Sequence, residues 1–233
     1  MSLLNQITVL ILTYNEAPNI SRTLTALSRF SDVVILDSGS TDGTIEIIGQ
    51  YANVRYVTRP LDTHVAQWNH GLTSYGIQRP WVLALDADYI LPFASVDEIG
   101  SLSLDAAISG YRVAFRNCVF GRPLTSTIYP PVVALYRRER TRYLQEGHTQ
   151  RAVVNGAVAA RRERIFHDDR EPLSRLFASQ QQHAKLEVDH LSRAASASLC
   201  QADKIRLMAF PAPILVFLCT LIAKRCILGG WAG

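Results

Sequence analysis

The chain predicts an α/β domain built on a mostly parallel sheet covered by helices. Two patterns carry that reading. From residue 7 to about residue 100 short apolar runs alternate with amphipathic stretches, and polar turn residues separate them. One of those runs, Trp81-Val82-Leu83-Ala84-Leu85, leads straight into Asp86-Ala87-Asp88, so two carboxylates stand at the tip of a strand that reads as buried. Hydrophobic residues make up 48% and charged residues 19% of 233, a balance too apolar for disorder and long enough for a full core.

Each element follows in order. Ile7 to Thr13 is a β-branched run and predicts the first strand. Ala17 to Ser28 repeats Ile20, Leu24 and Leu27 at helical spacing, with Pro18 near the start. Val33 to Leu36 predicts the second strand, ending in Asp37; after Ser38-Gly39-Ser40 a helix from about Asp42 to Tyr51 carries Ile45, Ile47 and Ile48. Val54 to Val57 is the third strand, Val65 to Tyr75 a helix and Trp81 to Leu85 the fourth strand. Ser95-Val96-Asp97-Glu98 matches a helix capping box. In the second half Ala107 to Arg116 and Val132 to Arg137 predict strands around a Gly121-Arg122-Pro123 turn, which suggests an antiparallel addition. Pro172 to about Ala195 predicts a helix packing one face on the domain.

Between Leu207 and Ala223 nearly every residue is apolar, with Pro211 and Pro213 inside and Lys224-Arg225 at the close. About 17 residues is the lower limit for a bilayer span. An interfacial or re-entrant helix anchored by the basic pair is therefore expected, in preference to a full span or a buried core helix. The expected division is a domain over 1–195, with halves 1–100 and 101–195, and a membrane-associating segment over 196–233. The short apolar run at the start ends in polar residues and reads as no signal peptide. Cys118, Cys200, Cys219 and Cys226 are scattered, which suggests neither zinc nor disulfides and fits a reducing cytoplasm. Net charge is +4, with arginine clusters at 137–140 and 161–164. Such clusters suit anionic lipid, diphosphates or nucleic acid, but most are solvated faces, and no nucleic-acid partner is expected.

Ligands of open parallel sheets bind beyond the carboxyl ends of the strands. That edge gathers Thr13-Tyr14-Asn15-Glu16, Asp37-Ser38-Gly39-Ser40 and Asp86-Ala87-Asp88. Residues i and i+2 of an extended chain share a side, and two carboxylates held so close resist joint ionisation unless a cation joins them. A hard divalent cation with a phosphorylated ligand answers that chemistry; the alternative is an acid pair that closes the strand and caps a turn. Asp37 is placed to accept from a base or a sugar hydroxyl, or else forms an ordinary Asx turn, and Gly39 lets backbone approach a ligand. No Gly-x-Gly-x-x-Gly follows the first strand and no Gly-Lys-Ser/Thr occurs, which argues against dinucleotide and P-loop folds.

Ile7 to Glu16, Val34 to Thr44 and Leu85-Asp86-Ala87-Asp88, in this order, resemble the signatures of glycosyltransferase family 2, the inverting nucleotide-sugar transferases with the GT-A fold. Trp68-Asn69-His70-Gly71 resembles the segment that precedes the family's Asp-x-Asp strand, where a polar residue lines the donor pocket. The resemblance implies that 1–100 is the nucleotide-sugar-binding or donor half and 101–195 the acceptor half, and that Thr13, Tyr14, Asn15, Glu16, Asp37, Gly39, Asn69 and Asp86 hold the nucleotide sugar. Asp86 and Asp88, with His148 as a further contact, would hold Mg²⁺ or Mn²⁺. The later part, Glu146 to Arg151 and Ile165 to Arg175, looks like the branch near the lipopolysaccharide core β-glucosyltransferases. Many of that branch carry His-Glu where this chain has His148-Thr149, so the role of an acid directly after the histidine is not carried over; members also continue past a segment like Gly229-Gly230-Trp231-Ala232-Gly233, which leaves open whether the chain is a truncated product. Glu146, Asp168 and Asp169 are the candidates for the base that deprotonates the acceptor; His148 and His167 have a structural alternative, and Asp168-Asp169 can instead be the acid cluster of a helix start.

The implied function is inverting transfer from a nucleotide-sugar donor, a UDP-sugar first, to a saccharide or lipid-linked acceptor of the bacterial cell envelope. Its implied place is the cytoplasmic face of the inner membrane. A metal-dependent phosphotransferase or phosphatase, and a non-catalytic membrane-bound scaffold of the same fold, are the alternatives.

Overall fold

The computed structural model describes residues 3–102, 107–127, 129–146, 149–193, 204, 207 and 211–232. Its strands are β1 (Ile7–Thr13), β2 (Val33–Asp37), β3 (Val54–Thr58), β4 (Trp81–Asp86), β5 (Tyr89–Ile90), β6 (Ile108–Val113), β7 (Phe115–Val119), β8 (Arg122–Pro123), β9 (Val132–Arg137), β10 (Thr141–Glu146), β11 (Thr149–Val154), β12 (Ala157–Ala160) and β13 (Ile165–His167). The helices are α1 (Ile20–Ala26), α2 (Thr44–Ile48), α3 (His64–Thr73), α4 (Phe93–Ser101), α5 (Leu173–Arg193) and α6 (Pro211–Leu218).

Seven strands form the main sheet in the order β12-β6-β9-β4-β1-β2-β3. β9 runs antiparallel to β4 and β6, and the other pairings are parallel. The predominantly apolar sequences of β1, β2 and β4 follow from this placement, since central parallel strands are covered on both faces. Odd-numbered Ile7, Val9 and Ile11 pack with Ile20, Leu24, Ile48, Val96 and Ile99 of α1, α2 and α4. Even-numbered Leu10 packs on the opposite face with Val34, Leu36, Trp68, Leu72, Tyr136 and Tyr143. Gly71 lets α3 lie against that face: a Cβ there would come within 2.8 Å of Leu10 Cδ2 and 2.9 Å of Leu36 Cδ1.

Register fixes the site. Thr13 pairs with Asp37, and Leu12 with Asp86, so the three signature segments end on one edge. A second sheet, β5-β13-β7-β8, stands beside that edge. In it His167 is opposite Tyr89 and Asn117, which carries a residue from late in the chain to the Asp-x-Asp tip. The expected strand over 107–116 divides at Ala114, since β6 joins the main sheet and β7 the second one.

The expected capping box does another job. α4 begins at Phe93 with the Pro92 carbonyl opening its hydrogen-bond ladder, so Ser95 already lies in the first turn. Ser95 Oγ accepts from Arg161 Nη2 at 2.7 Å, and the Glu98 carboxylate accepts from Arg161 Nε and from the N–H groups of Arg162 and Glu163. The pair thereby moors the loop after β12.

α5 leaves Leu173, Phe177, Leu186 and Val188 exposed rather than packing them on the domain. α6 and the π-helical turn Cys219–Ala223 give a helical run of about 20 Å, short of the roughly 30 Å hydrocarbon core. Among the described residues no helix is long and apolar enough to cross a membrane. Ile214, Leu215, Phe217, Leu218 and Ile222 are exposed along this run. The chain then returns to the body, where Thr125 Oγ1 donates to the Arg225 carbonyl and Cys226 is buried.

Candidate active site at the carboxyl edge of the sheet

The loops after β1 and β2 are laced together by short polar side chains. Asp37 is 1% exposed. Its Oδ1 accepts from Thr13 Oγ1 at 3.0 Å and Ser40 Oγ at 2.5 Å, and its Oδ2 from the N–H groups of Gly39 and Ser40 at 2.8 Å. Both oxygens are thus taken by the loop, and the Asx-turn alternative describes this carboxylate. Gly39 has φ +96°, which explains the glycine directly, and the space around it is open. Asn15 also sits in the left-handed region, φ 57°; its N–H donates to Ser40 Oγ and its Oδ1 accepts from Thr41 N–H. Tyr14 is 53% exposed beside it.

Arg175, near the start of α5, closes this loop from above. Its guanidinium donates to the carbonyls of Tyr14 and Asn15, pairs with Glu171 at 2.5 Å and lies 3.8 Å from Glu16. Glu16 also accepts from Asn19 Nδ2 at 2.9 Å. Burial, with the charges of Asp88 and Glu171, pushes the Glu16 carboxyl up to about 7 against the pull of Asn19 and Arg175.

The carboxylate pair lies at the tip of β4. Thr23 Oγ1 donates to the carbonyl of Ala87 at 2.6 Å, fixing the turn between the two acids. Asp88 Oδ2 is 2.8 Å from His167 Nε2, while Asp88 Oδ1 is buried with no hydrogen-bond partner. Asp86 is held above the usual carboxylate range by burial and then by the charge of Asp88, with Tyr89, His167 and His64 opposing. For His167 burial disfavours the imidazolium, yet the hydrogen bond and charge of Asp88 win and raise it.

The orphaned, buried Asp88 oxygen and the His167 imidazole beside it are two donors that fit a divalent cation with an open coordination shell. Among the described residues no three His, Cys, Asp or Glu side chains gather as a cage. A cation here would take Asp88 and His167 and fill its remaining positions with phosphate and water. His167, which the sequence offered as either a catalytic or a structural histidine with no partner named, stands here against Asp88. Its signal was an imidazole closing the β-type run Ile165-Phe166-His167, but the partner Asp88 becomes visible only through the β5–β13 pairing.

The remaining candidates separate. Asp168 is 5% exposed and bound on every side: Arg22 Nη1 at 2.6 Å, Arg170 Nη2 at 2.9 Å and the Gly121 N–H at 3.1 Å. Asp169 is exposed; its Oδ1 accepts from Asn19 Nδ2 and the Glu171 N–H, and its charge is felt by His167. Asn69 does not present its amide to the donor edge, because Nδ2 and Oδ1 bond the carbonyl and N–H of Tyr143 at 3.0 and 2.8 Å. Glu146 ends β10, opposite Thr149, and His148 lies outside the described residues.

Comparison with known proteins agrees with this geometry. Residues 8–169 match the family described as Glycosyl transferase family 2. Over 116 residues the chain is 30% identical to "Lipopolysaccharide core biosynthesis glycosyltransferase LpsC" of Rhizobium meliloti, covering 48% of this chain and 42% of that protein. Over 98 residues it is 34% identical to an "Uncharacterized glycosyltransferase" of Rickettsia bellii, covering 42% and 32%. The matched regions therefore span less than half of either relative. The fold is shared with S. aureus TarS 1-349 in complex with UDP-GlcNAc, at TM-score 0.52 and 16% identity over 87% of this chain and 70% of that one. It is shared also with glucosyl-3-phosphoglycerate synthase from Mycobacterium tuberculosis, at TM-score 0.51 and 17% identity over 82% and 81%. With the Asp-x-Asp tip and both laced loops inside the matched region, the chain belongs to glycosyl transferase family 2 and has its GT-A-like α/β fold.

Proposed function

We propose that this enzyme transfers a sugar, with inversion, from a nucleotide-diphosphate donor to a saccharide or lipid-linked acceptor of the cell envelope. The observation that carries the reading is the Asp88–His167 pair with its unpartnered Asp88 oxygen, set on the sheet edge next to the β1 and β2 loops. UDP-sugars are the first donors to test, because the TarS structure that shares the fold contains UDP-GlcNAc. Lipopolysaccharide core is the first acceptor class to test, because the R. meliloti relative is a lipopolysaccharide core biosynthesis glycosyltransferase.

In this reading Tyr14 and the loop held by Asn15, Ser40 and Arg175 receive the nucleoside, and Asp86 faces the ribose and diphosphate. Asp88 and His167 would hold Mg²⁺ or Mn²⁺, which offsets the charge that grows on the leaving diphosphate. The acceptor oxygen bonds to the anomeric carbon as the bond from that carbon to the diphosphate oxygen breaks, and the nucleoside diphosphate departs. The acceptor proton passes to a carboxylate on the opposite side, Asp169 or Glu146, since Asp168 is already committed to two guanidinium groups. Asp169→Asn and Glu146→Gln separate the two: the true base loses about 100-fold or more in kcat, the other little.

The exposed apolar run of α6 and the following turn, closed by Lys224 and Arg225, supports seating at an anionic membrane surface on the cytoplasmic side. In this reading the membrane surface presents a lipid-linked acceptor to the site.

The test is titration of the wild type and Asp88→Asn with UDP-, GDP- and dTDP-sugars, with and without Mn²⁺. One nucleotide sugar should bind with metal-dependent affinity that the variant loses. Release of inorganic phosphate from a phosphomonoester, with no nucleotide-sugar binding, would replace this reading by the phosphatase one.

A further inference from the structure

α3 runs against the direction of the strands it covers. Near its start Gln67 Nε2 donates to Ser38 Oγ at 3.3 Å, just beyond the carboxyl end of β2. Near its other end the Leu72 carbonyl accepts from Arg138 Nη1, and the Arg138 N–H bonds the Pro80 carbonyl beside the amino end of β4. The helix therefore begins at the edge where the acids lie, and its first residue is His64.

Strand alternation and helical spacing bring His64 and Asp86 to one level. Ala84 and Trp68 belong to the same buried cluster on the α3 face of the sheet. Asp86, two residues beyond Ala84, shares that face about 7 Å further along the strand, and Leu12, its partner on β1, packs against the same cluster. His64, four residues before Trp68, stands on the same side of the helix about 6 Å nearer the edge. Tyr143 joins the two ends of this arrangement: its ring stacks on Trp68 with centroids 5.1 Å apart, and its phenol lies within the field of Asp86. In agreement, the charge of His64 acts on Asp86 alongside that of His167, so imidazoles reach this carboxylate from two separate elements. His64 is exposed, and among the described residues its ring has no hydrogen-bond partner.

We propose that His64 is a donor-contacting residue that binds the diphosphate of the nucleotide sugar from the α3 side, while Asp88 and His167 hold the β5–β13 side. The inference rests on the nucleotide-sugar reading above. An ionised carboxylate only accepts hydrogen bonds, so Asp86 suits hydroxyl groups of the donor molecule. A diphosphate also only accepts, and it needs an N–H donor or a cation. The Asp88–His167 pair meets that need on one side with a cation. On the other side the imidazole of His64 meets it directly, since its ring N–H donates in either protonation state and bonds to a charged phosphate are the stronger kind.

The experiment uses the full chain and titrates UDP, GDP and dTDP, each beside its own nucleoside, into the wild type and His64→Ala with Mn²⁺ present. For the diphosphate that the wild type binds, the variant should raise Kd about tenfold or more, while the matching nucleoside stays within about twofold. The exposed side chain can be removed without opening the core, so the variant should melt with the wild type. Mn²⁺ affinity of the nucleotide-free protein, read by electron paramagnetic resonance, should be unchanged. An unchanged diphosphate Kd, or equal losses for diphosphate and nucleoside, overturns the assignment. A loss of Mn²⁺ affinity in the absence of nucleotide makes His64 a cation ligand and overturns it too, leaving the nucleotide-sugar reading in place. A wild type that binds none of the three diphosphates removes that reading, and the His64 contact falls with it.

Discussion

Asp168 distinguishes a structural acid from a catalytic one by a single isosteric change. Asp168→Asn keeps the shape and one carbonyl oxygen but removes the charge that faces Arg22 and Arg170. The side chain of Asp168 is 7% exposed, whereas those of Arg22 and Arg170 are 31% and 41% exposed. Hydrogen bonds to charged groups contribute about 1.5–3 kcal/mol each, but guanidinium groups this accessible recover much of their hydration. About 2 kcal/mol is then the expected loss in total, below the 3–5 kcal/mol of a wholly buried pair. For a chain of this size that lowers Tm by roughly 4–8 °C. Thermal melting followed by circular dichroism measures it, with nucleotide-sugar affinity alongside, since the same segment carries His167. If Asp168 were the proton acceptor as well, the folded variant would lose transfer by two or more orders of magnitude. That result would refute the reading.

Three further outcomes are expected. Glu16 titrates near about 7 in the fold, above its ordinary value of 4.5. The native state therefore holds more protons than the unfolded chain between these values, and stability falls as pH rises through that window. Glu16→Gln should remove this slope, so urea melts at pH 5 and pH 8 should differ less in the variant than in the wild type; equal slopes would count against the burial argument. Gly71→Ala forces a methyl against Leu10 and Leu36 and should cost about 1–3 kcal/mol in chemical denaturation, because two packed layers must part. Leu215→Glu with Phe217→Glu places two charges on the exposed run of α6 and should abolish flotation with vesicles of anionic phospholipid while leaving nucleotide-sugar binding intact. Undiminished flotation would send the search for a membrane contact to another surface.

The donor half was legible because its signals are local. Short apolar runs rich in β-branched residues, set between turn formers and alternating with helical spacing such as that of Ile20, Leu24 and Leu27, mark central strands and the helix faces that cover them. The chain's own order of Asp37 closing β2, Asp86 closing β4 and Asp88 just beyond it placed all three at one edge, since parallel strands end together. Boundaries were less legible. The Ser95-to-Glu98 capping signature pointed to a helix start, and only the approach of Arg161, Arg162 and Glu163 shows that these side chains serve another segment.

What residue order alone determined is therefore the fold class and the acidic strand tip, through periodicities of two or three to four residues, and the family, through the ordered resemblance of three segments. What the tertiary structure decided is who meets whom across long separations: His167 on Asp88, Arg22 and Arg170 on Asp168, Arg175 on the β1 loop, and Asn69 on Tyr143. Those contacts depend on which strands pair and which loops cross. An isolated aspartate, arginine or asparagine looks the same in sequence whether its charge or amide faces a substrate or a neighbouring chain segment.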